Sequence, residues 1–240
     1  MNALRTAFAY FSILPLGFAE APRAAAIAAL PLVGVVLGGI AGTLGWLGAM
    51  VLPAPLAVVA AFAASIVLSG AIHLDGFLDA CDALFASVPP ERRFAILKDP
   101  RHGTYALAGL AIVVPVWVAA LASIAPAAWP WTLAFCAGTA RAAAVLNAFF
   151  VPYARGGESA RAFAERPGIV VLALGILASA ACCWLHPRLA LLVLPALALG
   201  LLLGAWCARQ LDGMLAGDCY GAIIVVIEAA LLAALAALPV

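Results

Sequence analysis

Three aspartates with helical spacing are the residues of this chain best suited to chemistry. Asp75, Asp79 and Asp82 stand at positions i, i+4 and i+7, which fall within an arc of about 60° on an α-helix. All three carboxylates can therefore face one object. Clustered carboxylates repel one another unless a cation lies between them, and oxygen ligands of this kind usually hold Mg²⁺ or Mn²⁺. The spacing predicts a metal site, because a solvated acidic face, the ordinary alternative, does not suit a chain with so little charge.

The composition of the chain is that of a membrane protein. Of its 240 residues, 68% are hydrophobic and 10% are charged, and the mean hydropathy is +1.19. Soluble domains are only about 45–50% apolar, and a chain of this length can form about six to eight membrane spans. The net charge of +1 comes from basic residues scattered among acids, so no basic patch favours nucleic acid as a partner.

Apolar runs divide the chain into spans and loops. Each run is near the ~20 residues needed to cross the hydrocarbon core, and the runs lie at about 30–52, 55–72, 104–125, 131–151, 168–185, 189–208 and 220–239. We expect an all-α, polytopic membrane helical bundle with about seven spans, forming one domain over residues 1–240 in the lipid bilayer. The acidic helix should continue the second span into the cytoplasm.

Charge is confined to alternate connecting segments. Nearly all ionisable residues fall within 73–103, 152–167 and 209–219, whereas Arg188 is the one basic residue in a segment on the other side. The positive-inside rule places the charged loops in the cytoplasm. Acids and bases gathered on one face predict a polar active-site region at that surface of the membrane.

The first 29 residues are too interrupted to form a full span. Leu4, Phe8 and Phe11 follow a short amphipathic pattern that ends near Pro15, which predicts an interfacial helix lying on or dipping into the membrane. A cleaved signal peptide is the competing interpretation, since Arg5 precedes an apolar run. Cleavage would invert the charge pattern of the loops, so we reject it.

Cations stand beside flexible turns in two of the charged loops. Lys98 and Arg101 flank a proline in the longest loop, a spacing suited to gripping a phosphate. Arg155 precedes two glycines in the second loop. The ordinary alternative for such residues is membrane anchoring by snorkelling. For Lys98 and Arg101 we favour a functional role.

Polar residues at or within the apolar runs need partners. Asp218, at the start of the last run, could add a fourth carboxylate to the metal site or hold a ribose hydroxyl, and its ordinary alternative is a helix N-cap. Arg141, Asn147 and Glu228 lie inside predicted spans, where a polar group is costly unless it faces the bundle interior. We predict that Arg141 and Glu228 pair with each other.

Four motifs, in this order and spacing, resemble those of the cobalamin synthase family. They are His73-Leu74-Asp75-Gly76-x-x-Asp79-x-x-Asp82, Leu97-Lys98-Asp99-Pro100-Arg101-x-Gly103-Thr104, Tyr153-Ala154-Arg155, and Gly217-Asp218-x-x-Gly221-Ala222 with Glu228 beyond. The resemblance spans essentially the whole chain. One departure is Ala216, where the family usually has threonine, so any contact made by that hydroxyl does not transfer.

The resemblance implies a Mg²⁺-dependent, multi-pass transferase of the bacterial inner membrane whose active site faces the cytoplasm. A ribose hydroxyl of α-ribazole, or of its 5′-phosphate, would attack the phosphorus on the cobinamide side of adenosylcobinamide-GDP, and GMP would leave. The roles implied are metal binding by Asp75, Asp79 and Asp82, substrate binding by Lys98, Arg101, Arg155 and Asp218, and proton transfer by Asp82 or, as the second choice, His102.

Two other functions compete with this interpretation. CDP-alcohol phosphotransferases also use spaced aspartates at the membrane face, but the arginine of their motif is absent after Asp75-Gly76. A transporter would use Arg141 and Glu228 as a pathway, and transporters usually show interrupted helices and internal repeats. We find no repeat, so an enzyme is favoured. The acceptor's phosphorylation state, its base, and whether the chain forms a homo-oligomer stay open.

Overall fold

The protein is described here by a computed structural model that covers residues 3–17, 24–154, 168–185 and 187–238. The α-helices of these residues are α1 (Ala3–Phe11), α2 (Ala24–Ala28), α3 (Leu30–Gly48), α4 (Ala54–Leu68), α5 (Ile72–Phe85), α6 (Pro90–Ile96), α7 (Thr104–Ala122), α8 (Trp129–Leu146), α9 (Ile169–Leu185), α10 (Ala190–Gln210) and α11 (Gly217–Ala237). Within these ranges the only strand-like pairing is a single bridge between Tyr153 and Leu215. The expected all-α class is confirmed.

The helices include several that could span a membrane. In the described residues five candidates are long and apolar enough, namely α3, α7, the run Pro126–Phe149 that contains α8, α10 and α11. The α4 and α5 helices would add a sixth only as one span bent by 88°, and α9 contains a shorter apolar stretch, Leu172–Cys182. The multi-pass membrane bundle is confirmed, whereas the count of about seven spans is not.

The sharp bend between α4 and α5 has a cause in the backbone. Gly70 and Ala71 both adopt left-handed conformations, with φ of +62° and +59°. Glycine does so without steric cost, whereas alanine is strained there. The acidic helix α5 therefore leaves α4 in a new direction and does not continue it as expected.

Helix α8 forms the centre of the bundle, with its side chains buried along most of its length. Helix α3 packs against it through a glycine at every fourth position. A Cβ atom on Gly34 would lie 2.5 Å from the carbonyl oxygen of Ala137, and Cβ atoms on Gly38 and Gly42 would collide with the backbone of α8 further along. Small residues let two helix backbones approach this closely in a membrane.

Glycines also set the crossing of α5 and α11. A Cβ atom on Gly76 would lie 3.0 Å from the Cα of Asp218, and one on Gly221 would lie 2.9 Å from the carbonyl oxygen of His73. The two helices therefore touch backbone to backbone. This contact places the first turn of α11 directly beside the acidic turn of α5.

The N-terminal helix α1 packs onto the bundle. Ala7 is fully buried and Phe11 is nearly so, and the Phe11 ring lies over the imidazole of His73 with centroids 6.3 Å apart. Beyond the helix, the backbone N–H of Ile13 donates to the carbonyl oxygen of Leu68 at 3.0 Å. The short N-terminal helix is confirmed, and its depth in the bilayer stays a prediction.

Candidate active site

The acidic helix α5 presents two of its aspartates to His102. The Nε2 atom of His102 lies 3.9 Å from Asp75 Oδ1, and its Nδ1 atom lies 3.4 Å from Asp79 Oδ1. The side chain of Asp75 is 66% exposed and that of Asp79 is 17% exposed. Helical spacing thus brings Asp75 and Asp79 together, as predicted, and the loop before α7 lays an imidazole between them.

The third aspartate of the cluster makes a different contact. Asp82 accepts hydrogen bonds from the backbone N–H of Gly103 at 2.5 Å and from that of Ala106 at 3.0 Å. These amides belong to the start of α7, whose first N–H groups have no partner within the helix. Asp82 therefore caps α7 from outside and fixes the segment that carries His102.

Helix α11 brings a further carboxylate to the cluster. Asp218 is half-buried in the first turn of α11 and interacts electrostatically with Asp79 and Asp75. The N-cap of the helix is Ala216, whose side chain makes no capping hydrogen bond. The N-cap alternative for Asp218 is therefore wrong. A role for Asp218 as a fourth carboxylate of the metal site stays a prediction.

These carboxylates do not form a finished metal centre. Among the residues that the structure describes, no group of three or more His, Cys, Asp or Glu side chains is arranged to hold a metal ion. Metal binding by the cluster stays a prediction.

The predicted phosphate-binding cations occupy different surroundings. Lys98 lines a cavity with Asp75 and Asp218. Arg101 is 85% exposed and forms a bidentate pair with Asp99, with Nη2 2.7 Å from Oδ2 and Nε donating to Oδ1 at 2.9 Å. The hydrogen bonds from Arg101 lower the pKa of Asp99 to about 2. Arg155 lies outside the described residues.

The cavity beside the cluster has a volume of about 580 Å³. Its lining includes three charged residues, Asp75, Asp218 and Lys98, together with five Phe and Tyr rings. We call it the active-site cavity. Its aromatic lining was missed by reasoning from the sequence. The only sequence feature that indicated an aromatic residue at this site was the tyrosine of the Tyr153-Ala154-Arg155 motif.

Tyr153 is held in this wall by a short backbone pairing. Ala154 N–H donates to the Leu215 carbonyl oxygen at 2.8 Å, and Leu215 N–H donates to that of Pro152 at 2.9 Å. Burial, followed by the nearby charge of Asp218, raises the pKa of Tyr153 to about 12. The phenol is therefore neutral at physiological pH and can serve as a hydrogen-bonding wall of the cavity.

The charged residues inside the bundle pair as predicted. Arg141 Nη1 lies 4.0 Å from Glu228 Oε2 and also donates to the carbonyl oxygen of Ala137 at 2.9 Å. A small cavity of about 60 Å³ is lined by this pair and by His73. Asn147, also buried, donates to the carbonyl oxygen of Gly200 on α10 at 3.1 Å. These polar groups face the bundle interior, as expected for costly groups in a span.

Comparison with known proteins agrees with the order of the motifs. A family model described as cobalamin-5-phosphate synthase matches residues 3–236. An adenosylcobinamide-GDP ribazoletransferase of Deinococcus radiodurans is 37% identical over 237 residues, which cover 95% of this chain and 82% of that protein. The protein of the same name from Bradyrhizobium diazoefficiens is 36% identical, over 91% of this chain and 87% of its own length. That from Ralstonia pickettii is 31% identical, over 92% of both chains. No solved structure matches the chain. The chain therefore belongs to the cobalamin-5-phosphate synthase family.

Proposed function

We propose that this protein is an adenosylcobinamide-GDP ribazoletransferase, the activity named for its relatives in Deinococcus, Bradyrhizobium and Ralstonia. The observation that carries the proposal is a cavity lined by Asp75, Asp218 and Lys98, with the charges of Asp79 and Asp75 acting on Asp218. Family membership favours this reaction over a CDP-alcohol phosphotransferase or a transporter.

The reaction is a displacement at phosphorus. A ribose hydroxyl of α-ribazole, or of its 5′-phosphate, attacks the phosphorus attached to the cobinamide side of adenosylcobinamide-GDP. The bond from that phosphorus to the GMP oxygen breaks, GMP leaves, and a phosphodiester joins the corrinoid to the nucleoside. The hydroxyl loses its proton in the same step.

The described residues supply parts for this chemistry. His102, which lies between Asp75 and Asp79, can accept the hydroxyl proton, and the carboxylates stabilise the imidazolium that results. Lys98, which lines the cavity with Asp75, attracts a phosphate oxygen there. Asp82 acts indirectly, because its capping of α7 holds the His102 segment in place.

The acidic residues fit Mg²⁺ in their chemistry. Asp75, Asp79 and Asp218 would supply the carboxylate oxygens that this ion prefers. A bound ion would offset their mutual repulsion and neutralise charge on the diphosphate. Asp75 is two-thirds exposed, so its side chain is free to turn towards the other two. Arg101 is paired with Asp99, so it can bind a substrate phosphate only by giving up this pair.

The multi-pass bundle and the bacterial origin of the relatives support a place in the bacterial inner membrane. We place the active site on the cytoplasmic face, where the positive-inside rule puts the charged loops. Both substrates would then reach the site from the cytoplasm.

The test is release of GMP from adenosylcobinamide-GDP and α-ribazole by the purified protein in detergent. We expect Mg²⁺-dependent turnover by the wild type and its loss in Asp79→Asn. Glu91→Gln is the matched control, since Glu91 is an exposed carboxylate on α6 away from the cluster. Absence of GMP from the wild type with Mg²⁺ present would overturn the proposed function.

A further inference from the structure

We infer that the active-site cavity is the binding site of the acceptor nucleoside, whose aromatic base lies among the rings of Tyr10, Phe11, Tyr153 and Tyr220, while the larger corrinoid substrate stays outside. This inference rests on the proposed function and assigns one of its two substrates to a place.

The first support is the ring content of the cavity wall. Tyr10 and Phe11 on α1 form an edge-to-face pair with centroids 4.9 Å apart. Tyr153 and Tyr220 form a second, tilted pair with centroids 6.2 Å apart. Both pairs line the same cavity, together with Phe94 on α6. Aromatic walls bind flat heteroaromatic bases by stacking, with little dependence on the identity of the base.

The second support is the size of the cavity. Its volume of about 580 Å³ falls in the range of about 300–1,000 Å³ found for sites that enclose a drug-sized ligand. A nucleoside such as α-ribazole, a fused aromatic base on one ribose, is a ligand of that size. Adenosylcobinamide-GDP joins a corrin macrocycle, an adenosyl group and a guanosine diphosphate, and it is far too large to enter.

The third support is the presence of charged residues in the same cavity lining. Asp75, Asp218 and Lys98 line the cavity together with the rings, so residues assigned to the reaction and the aromatic wall share one cavity. With its base among the rings, the nucleoside would direct its ribose towards these charged residues. The reacting hydroxyl would then meet the phosphorus of a donor substrate that approaches from the surface.

His73 lies between this cavity and the small cavity beside Arg141 and Glu228. Its side chain lines the cavity, is only 8% exposed, and has an Nε2 atom without a hydrogen-bond partner. Buried polar atoms are almost always paired. The Phe11 ring lies over its imidazole and holds it in the wall, where a hydroxyl or ring nitrogen of the acceptor can complete its bonding.

The test measures binding of α-ribazole alone, by equilibrium dialysis against the purified full-length protein with no corrinoid present. Tyr10→Leu and Phe11→Leu keep an apolar side chain and remove the aromatic face. We expect each to raise the Kd and the KM for α-ribazole ~10-fold, the size of a lost stacking contact, and to leave the KM for adenosylcobinamide-GDP unchanged. Tyr10 is only half-buried, so Tyr10→Leu still tests the site if Phe11→Leu does not fold.

The matched control is Phe85→Leu. Phe85 is a half-exposed aromatic residue beside a separate apolar cavity, where its ring contacts those of Tyr105 and Trp206. We expect wild-type Kd and KM values from this variant. Wild-type affinity for α-ribazole in both α1 variants, or a rise only in the KM for adenosylcobinamide-GDP, would overturn the acceptor site while leaving the reaction intact. Binding of α-ribazole without GMP release by the wild type would overturn the reaction and support the site.

Discussion

The carboxylate of Asp82 and the backbone N–H of Gly103 meet at 2.5 Å, which ties the acidic helix to the start of α7 across 21 positions of the chain. Loss of a helix cap costs about 0.5–2 kcal/mol. We therefore expect Asp82→Ala to lower both the melting temperature and the rate of GMP release, because the His102 segment loses its anchor. Thermal unfolding in detergent, measured beside turnover, checks this. A variant that melts like the wild type but is inactive would indicate instead that Asp82 binds metal directly.

The carboxylates of Asp79 and Asp218 should behave differently from that of Asp82. Asp79→Asn and Asp218→Asn remove charge from the cluster without removing a cap, so we expect little change in melting temperature. Turnover should fall by at least ~100-fold, a typical scale for losing a metal ligand's electrostatic support. The concentration of Mg²⁺ at half-maximal rate should rise in any variant with residual activity. An unchanged Mg²⁺ requirement in both variants would remove these residues from the metal site.

The Arg141–Glu228 pair predicts a coupling in stability. Removing one partner of a buried pair leaves an uncompensated charge and costs about 3–5 kcal/mol. Glu228→Gln and Arg141→Met should each destabilise the bundle strongly, and the double variant should cost less than the sum of the two. Denaturant unfolding of the four proteins in one detergent gives the coupling. Strict additivity would show that the 4.0 Å contact contributes nothing to stability.

The Asp99–Arg101 pair has a defined dependence on pH. Because the pKa of Asp99 is lowered to about 2, the pair is complete above the ordinary aspartate pKa of about 3.9 and is lost as the pH falls towards 2. Near neutral pH, Asp99 therefore competes with any phosphate for the guanidinium. We expect Asp99→Asn to lower the KM for adenosylcobinamide-GDP at pH 7, with Arg101→Gln raising it. A KM that rises in Asp99→Asn would show that the carboxylate positions Arg101 for substrate.

The parts of this protein that could be predicted from sequence are those fixed by local spacing or by the cost of burial. Asp75 and Asp79 share a helix face because of their four-residue spacing. Arg141 pairs with Glu228 because a charge inside a membrane span requires a partner. The capping role of Asp82 depends on an amide in a distant loop, which spacing along one helix cannot reveal.

Two other features depended on tertiary structure. Hydropathy predicted that α5 continues α4, because hydropathy carries no information on the left-handed backbone of Gly70 and Ala71 that bends the chain there. The aromatic wall of the active-site cavity combines rings from α1, α6 and α11 with one from the loop that holds Tyr153. No motif in any one of these segments indicates that they meet.

The glycine contacts between α3 and α8 limit how this protein can evolve. Gly34, Gly38 and Gly42 each leave no room for a methyl group, so a single mutational step to alanine at any of them would separate the two central helices. Neutral drift in α3 is therefore confined to its other faces, where substitutions among apolar residues cost little. A saturating mutagenesis library should show intolerance recurring every fourth codon along this helix.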